Sequence, residues 1–373
     1  MARNRVIYQS KAVYAGPDKN SSNAFIQETG DNQPFQLKRV QSANYGFDIA
    51  RTDVNQFGVL AAIDRVILES PTVNFDSSWY LCNLYNEDKI GLLVNTSTEH
   101  DAATFYGMLG DILDSNAGER NYYVRVGVDG SDMNSVGTGG IDTTNGAKND
   151  VIGIGNGFLS NWSCEGAVGG FPTASMTVEG LNIAFITGST TGYCPNVDPT
   201  DGTKEATNKY HLSGYLNDGE STTDTSVLKP GDISFSLPSD QGGAAVGDVK
   251  IQSFNASVDL AREPLQKLGS RFAFSREITF PITATLSLDA MVGDMASGNL
   301  ADIVDNNENQ EIWVNLKSGD TAHIAILMKN GKLDSQSFSQ GIGDNETVTL
   351  NWSAQVGSKT DTTNGLFLSG SKV

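Results

Sequence analysis

Val40-Gln-Ser-Ala-Asn-Tyr-Gly-Phe-Asp-Ile-Ala-Arg51 and Ile251-Gln-Ser-Phe-Asn-Ala-Ser-Val-Asp-Leu-Ala-Arg262 decide how this chain is built. Six of their twelve positions are identical (Gln, Ser, Asn, Asp, Ala, Arg), where unrelated segments would share roughly one, so the chain reads as an internal duplication. The same offset of 211 carries Gly58 onto Gly269, Arg65 onto Arg276 and Thr72 onto Thr283. Asp111-Ile-Leu-Asp114 matches Asp302-Ile-Val-Asp305 at an offset of 191, and Gly157, Gly169 and Thr173 match Gly331, Gly343 and Thr347 at 174. The first copy is therefore longer by 37 residues. The extra residues fall between Leu81 and Asp111 and between Val126 and Gly157, where stretches such as Gly127–Gly140 have loop composition.

Each copy predicts mostly strand. Ala43, Tyr45, Phe47 and Ile49 alternate with Ser42, Asn44, Gly46 and Asp48, and the second copy repeats this with Phe254, Ala256, Val258 and Leu260 against Ser253, Asn255, Ser257 and Asp259. Such a period of two is the mark of a half-buried antiparallel strand. Three further alternating segments per copy follow, around Val73–Asp76, Trp162–Glu165 and Thr173–Glu179, with counterparts at Thr283–Leu288, Gln336–Ser339 and Thr347–Ser353. Cys164 aligns with Phe338 and reads as a small core residue. Helical spacing of Ala102, Phe105, Leu109, Ile112 and Leu113 predicts one helix over Asp101–Leu113, with Leu300, Ile303 and Val304 as its second-copy equivalent, laid on the apolar face of the sheet. The expected fold is mainly β: two tandem copies of a β-barrel or sandwich domain, each with about four main strands and one helix. The domains expected are 1–189, a linker or outer insertion at 190–229, and 230–373.

The 373 residues carry 44 acids against 25 bases, a net charge of −19, which disfavours a protein that grips nucleic-acid phosphates. No apolar run is long enough for a membrane helix, and Gln9, Ser10 and Lys11 interrupt any signal-peptide core, so a chain made in a cytoplasm is expected. Three cysteines and three histidines without metal-ligand spacing, and no nucleophile-elbow, P-loop or HExxH motif, argue against an enzyme, a metal or a cofactor. A glycoside hydrolase would need two facing carboxylates, whereas Asp48 and Asp259 recur once per copy. A secreted carbohydrate-binding or adhesin protein is the competing class, sharing the Gly, Asn and Thr richness.

The polar strand faces hold Asn44, Asp48, Asn74, Asp76, Glu165, Glu179, Asn255, Asp259 and Asn351 among Ser, Thr and Gly, with no Lys or Arg on the segments read as strands. Solvated faces ordinarily mix both signs. A wall past which an anion must slide would omit bases, since each adds a phosphate contact. Eight strands per chain in three chains would close a barrel of about 50 Å backbone diameter with a bore near 40 Å, wide enough for a DNA duplex.

Arg5-Val-Ile-Tyr-Gln-Ser10, Gln36-Leu-Lys-Arg-Val-Gln-Ser-Ala-Asn-Tyr-Gly-Phe47 and Arg51-Thr-Asp-Val-Asn-Gln-Phe-Gly58 resemble the major tail (tail tube) proteins of tailed bacteriophages, and the duplication extends the resemblance from about Val40 to Val356. The resemblance implies a structural virion protein assembled in the host cytoplasm into stacked rings that conduct DNA, without specific DNA binding or membrane contact. With two tube domains per chain the ring would be a homotrimer of pseudo-sixfold symmetry, and the nine polar-face residues would face the lumen. It further implies ring stacking by the loops Thr52–Asp64 and Glu263–Ser275, through Asp53, Asn55, Gln56, Phe57, Gln266, Lys267 and Leu268, with the arm Met1–Lys38 as a further contact. A tape-measure protein, a baseplate initiator and a tail terminator would be the partners.

Overall fold

The computed structural model describes residues 11–16, 34–96, 105–113, 118–127, 149–189, 194–197, 212, 228, 233–236, 250–291, 309–318, 321–340 and 345–372. The first copy holds β1 (Lys11–Ala15), β2 (Phe35–Gln36), β3 (Val40–Asp48), β4 (Thr52–Val54), β5 (Asp64–Val66), β6 (Thr72–Tyr80), α1 (Tyr85–Lys89), β7 (Val94–Asn95), β8 (Glu119–Val126), β9 (Asn149–Ala167), β10 (Thr173–Gly180) and β11 (Asn182–Ser189). The second holds β12 (Ile233–Ser236), β13 (Lys250–Asp259), β14 (Arg262–Leu265), β15 (Ser275–Ile278), β16 (Thr283–Met291), β17 (Gln310–Ser318), β18 (Thr321–Ser339), β19 (Thr347–Gln355) and β20 (Gly365–Gly370).

The alternating segments form one antiparallel sheet in the order β18-β19-β16-β13-β9-β10-β6-β3. The second copy repeats the first pair by pair. Asn44 faces Asp76 as Asn255 faces Ser287, and Thr173 faces Glu165 as Thr347 faces Ser339. The irregularities recur too. Gln41 and Gln252 bulge out at equivalent points, and each donates its side-chain amide to the backbone carbonyl two residues earlier. Asn156 and Asn330, also equivalent, both take a positive φ, a conformation asparagine tolerates better than most residues.

That asparagine lies within a strand of 19 residues in each copy, β9 and β18. The later half of each strand belongs to the eight-stranded sheet. The earlier half pairs with a second set of strands, β8 and β11 on β9, β17 and β20 on β18. This second layer covers the apolar face. Phe75, Trp162, Met176, Val258, Leu286 and Trp352 share one buried core with Tyr122, Ile152, Ile312, Val314, Ile326 and Leu368. Cys164 sits in that core, fully buried.

The architecture is therefore a sheet covered by strands, and within one chain the sheet does not close into a barrel. Over the described part of the expected helix Asp101–Leu113 no helix forms: 105–113 is turn and irregular chain, although Phe105, Leu109 and Ile112 are buried as their spacing required. Gly107 and Gly110 weaken helix propensity. The backbone is also used elsewhere, since Met108 N–H donates to Leu366 O and Leu93 N–H to Met108 O. Residues 101–104 and the second-copy stretch around Leu300, Ile303 and Val304 lie outside the described residues. Among the described residues the helix that does form, α1, is one short segment in the first-copy insertion. Of 190–229, the described Cys194, Val197, Leu212 and Leu228 are buried against the first copy.

Candidate functional surfaces

The sheet face opposite the core is continuous across all eight strands. Along one row Asn44 lies beside Asp76, Asp76 beside Thr177, Thr177 beside Asn161 and Asn161 beside Asp259. All nine residues read from the sequence lie on this face. Asn44, Asp48, Asn74, Asp76, Glu165, Asn255 and Asp259 are exposed, and Glu179 and Asn351 half-buried. Their neighbours bond sideways: Ser42 with Ser78 at 2.6 Å, Ser163 with Ser175 at 2.7 Å, Ser257 with Thr285 at 2.8 Å, and Asn351 to Ser335 at 2.8 Å. A face whose hydroxyls and amides already satisfy one another presents few donors to a passing phosphate.

Two features of this face were missed. Asp289 belongs to it, accepting from Ser253 Oγ at 2.8 Å and Thr349 Oγ1 at 2.6 Å. The alternation from Thr283 through Thr285 and Ser287 already points there once the strand is carried past Leu288. The absence of bases holds for the middle of the face only. Lys250 lies opposite Met291 at one margin and Lys332 opposite Ser353 at the other. At that second margin Arg276 reaches in from β15 and pairs with Glu179, so one of the acids is neutralised.

Two equivalent hairpins, β4–β5 and β14–β15, leave the sheet after β3 and β13. Their tips turn alike. Gly58 and Gly269 have positive φ, and Val59 N–H donates to Gln56 O as Ser270 N–H does to Lys267 O. The stacking candidates Asn55, Gln56, Phe57, Gln266, Lys267 and Leu268 are exposed at these tips, while Asp53 lies in β4, bonded to Arg65 at 2.6 Å. Val59, Leu60 and Ile63 add exposed apolar surface to the first hairpin.

The edges form a third surface. Where the copies meet inside the chain, β13 pairs with β9, and Val258, Leu260, Trp162 and Cys164 are each no more than 1% exposed. Among the described residues, the equivalent strands at the outside, β3 and the later half of β18, pair on one side only. Their apolar residues lie open: Phe47 at 56%, Ile49 at 38% and Phe338 at 46%.

One buried acid lies apart from all three. Glu87 on α1 is fully buried beneath the first copy and accepts from Trp79 Nε1 at 2.9 Å, and desolvation pushes its carboxyl up to about 7. Among the described residues, no group of three or more His, Cys, Asp and Glu is placed to hold a metal ion.

No family model and no characterised protein sequence matches the chain. Among solved structures, it is similar to a chain of the virion of a native gene transfer agent particle, at 13% identity and a TM-score of 0.22 over 38% of this chain and 98% of that one. It is also similar to a chain of an anti-feeding prophage baseplate, at 10% identity and a TM-score of 0.25 over 38% and 93%.

Proposed function

We propose that the chain is a structural virion protein that closes into homotrimeric rings, stacked as the tail tube through which phage DNA leaves. One observation carries this reading: among the described residues, the two outer edges of the sheet are the unpaired counterparts of the seam inside it. A head-to-tail contact of this kind builds a ring when its rotation closes. Copying the internal register onto the edges sets Asn44 opposite Ser339 of the next chain, Tyr45 opposite Phe338, Gly46 opposite Ser337 and Phe47 opposite Gln336. Closure buries Phe47, Ile49 and Phe338 and removes two strand edges that otherwise invite aggregation.

The register also bears on the size of such a ring. The row that starts at Asn44 reaches the second copy at Asp259, the repeat of Asp48, so each copy shifts the pairing by four residues. With about 3.3 Å per residue and about 4.8 Å between strands, a shift of four residues per four strands tilts the strands by about 35° whatever the number of chains. Three chains then close at about 45 Å backbone diameter, leaving a bore of roughly 35 Å once side chains are subtracted. Two chains would leave roughly 20 Å, the bare width of a duplex, so three is the smallest number that admits hydrated DNA.

Because the second layer of strands covers the apolar face, the uncovered polar face lines such a bore. Asn44, Asp48, Asn74, Asp76, Glu165, Asn255, Asp259 and Asn351 then form its wall, with no enzymatic role or cofactor. The hairpin tips would then fall at one rim and stack on the next ring. A tape-measure protein, a baseplate initiator and a tail terminator are the partners this reading implies. Light scattering coupled to size-exclusion chromatography, with negative-stain imaging, tests it. Rings or tubes with a central hole are expected, and a monomer at every concentration overturns the reading.

A further inference from the structure

Among the described residues, the second hairpin is docked and the first is not. Within the chain, β14–β15 lies against the rim of the first copy through two arginines. Arg262 Nε donates to Leu159 O at 2.8 Å, and its guanidinium covers the Phe158 ring. Arg276, only 4% exposed, pairs with Glu179 and donates to Thr72 Oγ1 at 3.0 Å. Ala273 N–H adds a bond to Ser70 Oγ at 3.0 Å. The first hairpin carries both arginines at the equivalent places. Arg51 is exposed, and Arg65, 67% exposed, is bonded to Asp53 of its own hairpin, where the second hairpin has Pro264.

We infer that β4–β5 is a clasp that takes the rim of the second copy in another molecule of this chain, and that this clasp is built weaker than the internal one. The inference rests on the ring reading above. Its acceptors follow from the repeat. Leu333 O replaces Leu159 O and Thr283 replaces Thr72, so a backbone carbonyl and a hydroxyl are retained for Arg51 and Arg65. Three partners are not retained: Ser353 stands at the position of Glu179, Pro281 at that of Ser70, and Lys332 at that of Phe158. The clasp between molecules thus lacks the carboxylate, the serine acceptor and the aromatic face of its internal twin, and sets Lys332 near Arg51. Asp53 supplies a carboxylate to Arg65 within the free chain. Charge-assisted bonds to a carboxylate are the strong members of such a set. A ring therefore has three firm seams inside chains and three weak ones between them, so isolated chains close only when all three weak seams form together or a template gathers them.

The test restores the missing carboxylate. Ser353→Glu in the full chain should lower the protein concentration at which rings appear, measured by analytical ultracentrifugation, by about tenfold or more. Adding Arg65→Ala to Ser353→Glu should abolish that gain. A second variant, Gly46→Cys with Ser337→Cys, reports the seam itself, because the register predicts a disulfide between chains under oxidation, while the native cysteines Cys82, Cys164 and Cys194 are buried. If the disulfide forms and Ser353→Glu leaves the threshold unchanged or raises it, the clasp is overturned while the ring stands. If wild type and variants all stay monomeric, the ring reading falls and the clasp with it.

Discussion

The internal seam and the outer edges of the sheet are made from the same repeat, yet they ask different things of their residues. At the seam, Val258 is 1% exposed and contributes to the stability of the fold. Its repeat at the edge, Phe47, is larger and open to solvent, an arrangement that costs the single chain little and has value only when a partner arrives. Equivalent positions therefore separate folding from assembly. Val258→Asp buries an unpaired carboxylate and should destabilise the chain by about 4 kcal/mol or more. Phe47→Asp should change monomer stability by less than about 0.5 kcal/mol, while abolishing ring formation. Urea denaturation of each variant, beside ultracentrifugation, checks the pair. A Phe47→Asp chain that assembled as before would break the comparison at its centre.

A second contrast concerns how each copy satisfies a core tryptophan. In the second copy Trp352 Nε1 donates to the Gln310 amide at 2.7 Å; in the first, Trp79 Nε1 donates to the Glu87 carboxyl. Only the latter titrates. The folded chain holds its Glu87 proton up to about 7, whereas the unfolded chain releases it near 4.5. Stability from this group is complete below about 4.5 and is lost as pH rises through 7. Glu87→Gln removes that loss, so its melting temperature should climb relative to wild type between these pH values and stay level above them. The difference at pH 9 should be on the order of 3 kcal/mol. Melting curves across pH that run parallel for both proteins would mean that the carboxyl is ionised in the core.

The two hairpins sharpen the comparison at a smaller scale. Arg276→Ala removes a buried guanidinium from Glu179 and Thr72 and should cost about 2 kcal/mol. Arg65→Ala removes an exposed pair with Asp53 and should fall within about 0.5 kcal/mol in the free chain. Equal losses on denaturation would show that the first hairpin is already docked in the monomer.

How far the fold could be read in advance depended on which faces of a strand are covered. β6, β10, β13, β16 and β19 each bury one face and leave the other wetter, so residues such as Thr283 through Leu288 announce their period. The covering layer gives no such signal. Ile324-Ala-Ile-Leu-Met328 is buried at every position, and a strand covered on both faces loses its alternation. The Gly-rich Ile152–Gly157 in β9 is likewise buried at every position. The expected helix failed because the apolar spacing of Phe105, Leu109 and Ile112 fits a packed turn as well as a helix. The polar face was legible nearly whole, from alternation alone. Its margins were not, because the bulge opposite Trp352 that brings Lys332 onto it depends on pairing rather than on local pattern. The open edges and the contrast between the two hairpins became visible only with the repeats set side by side in the fold.

The smallest effect on the protein itself should come from the residues that carry the functional argument. Asn44 and Asn255 are exposed repeats on the polar face. Replacing both by lysine should leave stability within about 0.5 kcal/mol and leave rings intact, since both side chains stand on the polar face, outside the core and the hairpins, and their seam neighbours, Glu165 for Asn255 and Ser339 for Asn44, do not repel a cation. The consequence falls on what passes. Each ring of three chains would gain six cations, repeated at every level of the tube, and each cation near a phosphate adds a contact whose strength falls as salt rises. Particles built from the Asn44→Lys, Asn255→Lys chain should therefore release DNA more slowly than wild type, with the deficit shrinking as ionic strength increases. An ejection assay across salt concentrations reads both. Release at the wild-type rate in low salt would mean that the shortage of bases on this face has nothing to do with DNA, and the same variant would then leave the ring standing as a scaffold whose lumen chemistry is neutral to its cargo.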